Sequence, residues 1–301
     1  MTVLDASVIV ALNPHEGGLD RVLDAYRAQA AGALRFELIV VDNGSRHLPE
    51  APSSPAAPDG LRVHWIESDK PGRAAANNAG VRAAHSRTLI FAADDFIPGP
   101  SLVRAHVEFQ RHLQSAAVGI GPAFFTPDCR ADPFRTWLED TGRLFGVPFR
   151  TAGSNWPRDF FYLGNASFSR AVYEEAGGFD EDYAYDLFDD LAFGLRIAAR
   201  GVSTHLLPKA LAWHDHAVTI EERALAMRRS GAAARHFDDA HPGRSTPWSA
   251  LATRSPADLA DRMQRARAHE GSPTRRFDYF SASMDLAFVD GYRDVGGALD
   301  R

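Results

Sequence analysis

An α/β fold with a mostly parallel central sheet flanked by helices, followed by a helical extension, is predicted by three observations. Short apolar runs alternate with helical patterns through the first half of the chain, the rhythm of consecutive βα units. Polar and acidic residues stand directly after several of those runs, where the carboxyl ends of parallel strands gather. Beyond Thr219 the pattern turns helical.

In chain order, Ser7 to Leu12 reads as a buried strand, Leu19 to Ala31 as a helix and Phe36 to Val41 as a second buried strand. Leu61 to Ile66 is a third strand, Arg73 to His85 a helix and Thr88 to Phe91 a fourth strand. The segment from Leu48 to Gly60, rich in Pro, Ala and Ser, is a surface loop, because the βα rhythm resumes after it. A helix follows from Ser101 to Gln114, then a strand from Val118 to Phe125. Phe124 to Asp159 lacks a clear period and reads as a long loop for acceptor contacts, with a short helix around Phe134 to Arg143. Helices at Ile220 to Phe237 and Pro256 to His269 are split by the turn at His241-Pro242-Gly243. The expected division is an α/β domain over 1–216, with a nucleotide-binding half to about 98 and a second half from about 99, and a helical extension over 217–301.

Composition narrows the function. The 301 residues, 45% hydrophobic, are enough to bury a sizeable core. A net charge of −6 lacks the basic excess of a nucleic-acid binder, so no nucleic-acid partner is expected. Only Lys70 and Lys209 are lysines among the 33 basic residues, and this Arg- and Ala-rich bias points to a GC-rich, bacterial genome. The single Cys129 excludes an internal disulfide framework and a cysteine-based zinc cluster. With no signal-peptide pattern and no apolar run near the roughly 18 residues of a membrane span, a soluble cytoplasmic protein is expected, with at most peripheral membrane contact.

Two acidic pairs carry the chemistry. Asp94-Asp95 follows the fourth strand and Asp189-Asp190 opens a helix. Either pair alone is an ordinary turn or helix cap. Around them stand three further texts: SVIVALN from Ser7 to Asn13, VVDNGS from Val40 to Ser45, and GRAAANNAG from Gly72 to Gly80. Together these runs resemble the family 2 nucleotide-sugar glycosyltransferases of the GT-A fold, whose Rossmann-like sheet binds the donor. The resemblance covers about Ser7 to His216.

It implies that Ala11 and Asn13 lie in the turn around the nucleotide, that Asp42 reads the base, and that Asn78 belongs to the donor site. It also implies that Asp95 ligates a divalent metal ion, Mn²⁺ or Mg²⁺, while Asp94 faces the ribose or sugar or ligates through water. Two positions depart from the family text: Ala93, where another acid is usual, and Asn77, where Arg is usual. Arg73 or Lys70 is the candidate to supply positive charge to the diphosphate, set against an ordinary solvated residue in a first helical turn.

The later run from Asn165 to Asp180, with Gly-Gly-Phe-Asp at its end, resembles the acceptor-side segment of the same family. Asp190 then matches the general base and Asp189 stands where the family has Glu; both are candidate catalytic residues. A positioned carboxylate can take the proton that an acceptor hydroxyl loses as it attacks. Arg196 would brace an acid of the site or pack as a surface cation. In LAWHDH, Leu211 to His216, the resemblance implies that His214 completes the metal site. His216 shares its face if the strand persists, with Asp215 pointing away.

The leading expectation is an inverting, metal-dependent glycosyltransferase. Its donor is a nucleoside-diphosphate sugar, UDP first, and its acceptor a glycan, a lipid-linked glycan or a small molecule. The alternatives are a non-catalytic sugar-nucleotide-binding subunit and a nucleotidyltransferase, whose basic phosphate loop is not seen in Asn13 to Gly18. The Ala-rich stretch from Ala224 to Ala234 allows the C-terminal helices to cover the acceptor site or form a homodimer contact.

Overall fold

The computed structural model describes residues 3–12, 18–30, 34–43, 61–146, 149, 161–182, 188–243, 248–268 and 273–294. Asn13 and the loop from Leu48 to Gly60 lie outside the described residues. The chain divides into two compact units, one of residues 1–129 and 141–216, the other of residues 130–140 and 217–301.

In the first unit the predicted rhythm is present. Strands β1 (Ala6–Ala11) and β2 (Phe36–Asp42) are buried along their whole length, as their continuous apolar runs require of a sheet covered on both faces. Helix α1 (Leu19–Ala30) joins them, and β3 (Arg62–Glu67), α2 (Arg73–Ala83) and β4 (Thr88–Ala93) complete the parallel part. Beyond it lie β5 (Phe96–Pro98), α3 (Leu102–Arg111), β6 (Ala117–Ile120), β7 (Ala123–Phe125) and α4 (Pro127–Arg130).

The large sheet has the order β3-β2-β1-β4-β8-β6-β9, where β8 is Asn165–Ser169 and β9 is Ser203–Leu206. β8 runs antiparallel to both neighbours, which makes the sheet mixed but mostly parallel. Its register pairs Ala11 with Val41 and Ala93, and Asp42 with Glu67, so these strand ends share one edge.

The strand expected from Val118 to Phe125 is two strands in two sheets. It breaks at Gly121-Pro122, where proline cannot donate to a ladder and a side chain on Gly121 would overlap Ala210 O and the Asn165 amide. β7 instead joins β5 and β10 (Ala212–His214) in a second, three-stranded sheet. Residue 165 explains why the chain comes so close at this point. Asn165 Nδ2 donates to Ala210 O at 2.8 Å, and its Oδ1 faces His106 Nε2 at 2.9 Å. Because the Asn165 amide nitrogen is used on carbonyls, its oxygen must accept, which puts the His106 proton on Nε2. His106 Nδ1 then accepts from the Ser167 hydroxyl at 2.8 Å. Burial pushes the His106 imidazole down to about 4, with the Asn165 bond opposing, so this group is neutral at pH 7.

Helix α5 (Pro133–Asp140) belongs to the second unit. Its Phe134 and Trp137 rings lie 5.0 and 5.6 Å from Phe280. Helices α8 (Ile220–Ala240), α9 (Ser249–Ala252), α10 (Pro256–Arg267) and α11 (Pro273–Arg293) form the rest; α6 and α7 of the first unit are described with the site. α8 opens on a capping box of Thr219 and Glu222, and α10 on Ser255 followed by Pro256. Gly231 of α8 meets the backbone at Phe288 and Gly291 of α11 meets Arg228, so the small residues, with buried Ala232 to Ala234, serve packing between α8 and α11. α11 is missing from the sequence reading, because Arg275, Arg276 and Asp278 dilute its apolar stripe. Among the described residues no helix is long and apolar enough to cross a membrane.

Candidate active site

The carboxyl ends of β1, β2 and β4 bring Ala11, Asp42 and the Asp94-Asp95 turn to one edge of the large sheet. Asp42 and Asp94 are buried there. The Asp42 carbonyl accepts from Ser68 N at 2.9 Å, and Asn43 O from Gly72 N at 3.2 Å, which ties the strand end to the start of α2.

β5 follows the acidic turn immediately and pairs antiparallel with β10, His214 opposite Phe96. This pairing delivers His214 Nε2 to Asp95 Oδ2 at 2.9 Å. β10 ends at His214, and one step beyond its last pair the Asp215 N–H still donates to Asp95 O at 3.2 Å. The two imidazoles stack with centroids 5.9 Å apart, which puts His214 and His216 on one face. Asp215 between them turns away to Arg21 and to Thr126.

One ligand atom each from Asp95, His214 and His216 lies within 4.8 Å of the other two, the single such group among the described residues. Phe96, Phe125 and Phe145 surround the His214 ring at 5.4, 5.2 and 5.5 Å. Its Nδ1 is buried with no hydrogen-bond partner among the described residues. A hard carboxylate oxygen converging with two imidazoles, one holding an unused buried nitrogen, fits a divalent cation such as Mn²⁺.

The second acidic pair sits at the start of α7 (Asp189–Ala198). Phe188 before it has φ 67°, the one non-glycine residue with positive φ among the described residues. That left-handed turn aims both acids inward at the price of local strain. Asp189 is 1% exposed and ion-paired with Arg73 of α2, while Asp190 stands 3.7 Å from the same guanidinium. Asp190 Oδ1 accepts from Leu191 N at 2.8 Å. Its carboxyl is held above the usual range, chiefly by burial and also by Asp189, against the lowering effects of Arg73 and the Leu191 and Leu163 N–H groups. Burial pushes the phenol of Tyr162, just ahead of β8, well above its ordinary range, with Asp95 and Asp190 adding to the effect. Sequence reading missed Tyr162, since a lone aromatic in a loop carries no signal.

Among the described residues Arg196 donates to Ala176 O at 3.1 Å and to Gly178 O, closing the C-terminal end of α6 (Arg170–Ala176). Lys70 pairs with Glu181 and Asp182, and Arg73 with the second acidic pair. Asn78 is also committed to protein partners. Its Oδ1 accepts from Tyr173 Oη at 2.7 Å and Phe179 N at 3.0 Å, and its Nδ2 donates to Phe179 O and Glu181, both at 2.9 Å. It fastens the Gly-Gly-Phe-Asp turn onto α2.

Residues 7–177, more than half of the chain, match the family described as Glycosyl transferase family 2. The chain belongs to that family. The matched range ends before Asp189, so it does not include the second acidic pair or the two histidines. The validoxylamine A glucosyltransferase of Streptomyces hygroscopicus subsp. limoneus is 25% identical over 219 residues, 65% of this chain and 48% of that protein. That of subsp. jinggangensis is equally similar over 52% of its length, so the chain spans about half the length of the curated relatives it matches. Among solved structures, the mannosyltransferase PcManGT from Pyrobaculum calidifontis, in complex with GDP-Man and Mn²⁺, has a TM-score of 0.62 and 19% identity, covering 98% of this chain and 89% of that one. S. aureus TarS 1-349 in complex with UDP-GlcNAc has a TM-score of 0.51 and 12% identity, covering 95% and 90%. These neighbours establish a GT-A fold, with the mostly parallel sheet and the C-terminal helices expected above.

Proposed function

We propose that this family 2 chain is an inverting glycosyltransferase that moves a sugar from a nucleoside-diphosphate donor to an acceptor hydroxyl. The observation that carries the reading is the convergence, at one edge of the first unit, of a metal-fitting set and a desolvated carboxylate paired with Arg73. Asp42 and Ala11 line the nucleotide end, with Asp94 toward the ribose or sugar. Asn78 supports that wall through the Phe179 turn. A divalent cation held by Asp95, His214 and His216 would act as a Lewis acid, offsetting the charge that develops on the departing diphosphate.

Asp190 takes the acceptor proton. Its proton affinity, raised chiefly by burial, lies nearer to that of the developing oxyanion, which improves a general base. The hydroxyl attacks the anomeric carbon from the face opposite the diphosphate, one C–O bond forming as the other breaks, with no covalent intermediate. UDP is the first nucleotide to test, and a glycan, lipid-linked glycan or small molecule is the acceptor class. Homodimerisation and a cytoplasmic, bacterial setting complete the proposal.

The test is calorimetric binding of UDP, GDP and dTDP with Mn²⁺ and again with excess chelator. Metal-dependent binding of one nucleotide supports the donor site. Failure of all three favours a non-catalytic relic, with Ala93 and Asn77 as its marks.

A further inference from the structure

We infer that Arg73 is a positioning residue for Asp190, holding the second acidic pair in place across the sheet edge, and is not a ligand of the donor phosphates. The inference rests on the reading of Asp190 as base.

Local structure gives no reason for a cation at this position. Arg73 occupies the first turn of α2, the positive end of the helix dipole, where a basic side chain is disfavoured. That turn contains no acidic residue, and the Gly72 cap provides no side-chain bond. The compensation is tertiary. The guanidinium reaches 116 residues along the chain to Asp189 Oδ1, and Asp190 Oδ1 lies 3.7 Å from the same Nη2.

The acids need that cation as much as it needs them. Two adjacent carboxylates, one 1% and the other 18% exposed in their side chains, would repel each other without a positive charge between them. Asp189 Oδ2 has no hydrogen-bond partner among the described residues, and the other oxygen, Oδ1, is anchored by Arg73. Asp189 is thus the fixed end of the clamp and Asp190 the working end. The left-handed Phe188 directly precedes the pair, and both acids face Arg73. The groups facing Asp190 are Arg73 from α2, Asp189 from its own helix and Tyr162 from the segment before β8. Tyr162 stays neutral across the working range, which leaves Arg73 as the charge that opposes proton uptake by Asp190.

The experiment compares wild type, Arg73→Gln, Arg73→Lys and Asp190→Asn. Release of nucleoside diphosphate from UDP-glucose, UDP-N-acetylglucosamine and GDP-mannose is followed with Mn²⁺ across pH. For Arg73→Gln the expectation is a fall in kcat of about tenfold or more, the scale of a misplaced base. Donor KM and UDP or GDP affinity remain within about twofold of wild type. The acid limb of the rate profile moves to higher pH, and Arg73→Lys recovers part of the loss.

Unchanged kcat and limb in Arg73→Gln overturn the inference, as does a loss confined to nucleotide affinity, which assigns Arg73 to the diphosphate. Full turnover in Asp190→Asn instead removes the base reading itself. Thermal unfolding against pH tests the clamp without any donor. Arg73→Gln is expected to lose stability more steeply than wild type as pH rises through the Asp190 range, and Arg73→Gln combined with Asp190→Asn to lose that extra slope. Parallel slopes in all of these proteins overturn the inference.

Discussion

The two acidic corners of the first unit are built on opposite plans. At the corner proposed to hold a metal ion, Asp95 and His214 are delivered by strand ends, with antiparallel pairing of β5 and β10 and an aromatic collar around the imidazole. At the acid corner Asp189 and Asp190 begin a helix after a strained residue, and their placement depends on one guanidinium from α2. A ladder distributes its restraint over many backbone bonds, whereas an ion pair concentrates it in one contact. The strand-built corner should therefore tolerate polar changes nearby, and the helix-built corner should respond to single charges.

The largest effect should come from the working end of the helix corner. Asp190→Asn is expected to lower turnover by about 10²–10⁴-fold, the range for loss of a general base, with metal-dependent nucleotide affinity unchanged by calorimetry. At the strand corner, His214→Ala should abolish the dependence of nucleotide affinity on Mn²⁺ while leaving the fold intact by circular dichroism. If the two variants show the same mixture of binding and turnover defects, the corners are not separate devices.

pH sharpens the contrast. Asp190, raised by burial, binds its proton more tightly folded than unfolded. Its protonation therefore stabilises the fold fully below the ordinary aspartate value of about 3.9. That contribution is lost as pH rises through the raised folded value. Asp190→Asn should accordingly gain thermal stability over wild type as pH increases, while losing activity. His106, under the strand corner, has the opposite sign. Its pKa, lowered to about 4 from 6.5, gives stability that is full above 6.5 and falls away toward 4. The full swing is roughly 3 kcal/mol. Wild type should lose stability across that acid interval and His106→Gln should lose less, read from unfolding midpoints at matched salt.

The smallest effect on turnover is expected from Asn165→Ala, which leaves the Ala210 carbonyl and the His106 Nε2–H without this partner. The cost is about 1–3 kcal/mol per stranded group, seen as a lower melting temperature with kcat kept within a few-fold.

Legibility followed the range of the interactions. The parallel strands were readable to within a residue or so, because β1, β2 and β4 are buried runs whose composition is set by both covered faces. β8 was not readable: its small polar residues Asn165 and Ser167 look like loop, and they are buried only because His106 and Gln110 of α3 bond them. The break at Gly121-Pro122 was written in the sequence as two turn-prone residues, yet its cause is the approach of Asn165 and Ala210 from elsewhere. α11 was missed for the reverse reason, its helical period being diluted by charges that pair in three dimensions, as Asp278 does with Arg262.

By itself the sequence determined the order of βα units, the carboxyl-edge position of Asp42 and Asp94-Asp95, and the two acidic pairs as the chemistry worth pursuing. These depend on periodicity and on residues adjacent in the chain, which local sterics and burial translate directly into place. Tertiary structure decided the partnerships. It gathered His214 and His216 against Asp95, turned Arg73 onto the second acidic pair, and spent Asn78 and Arg196 on holding a turn and a helix end. The reason is physical: a long polar side chain can reach several partners from one backbone position, and which of them it satisfies depends on where distant segments are packed.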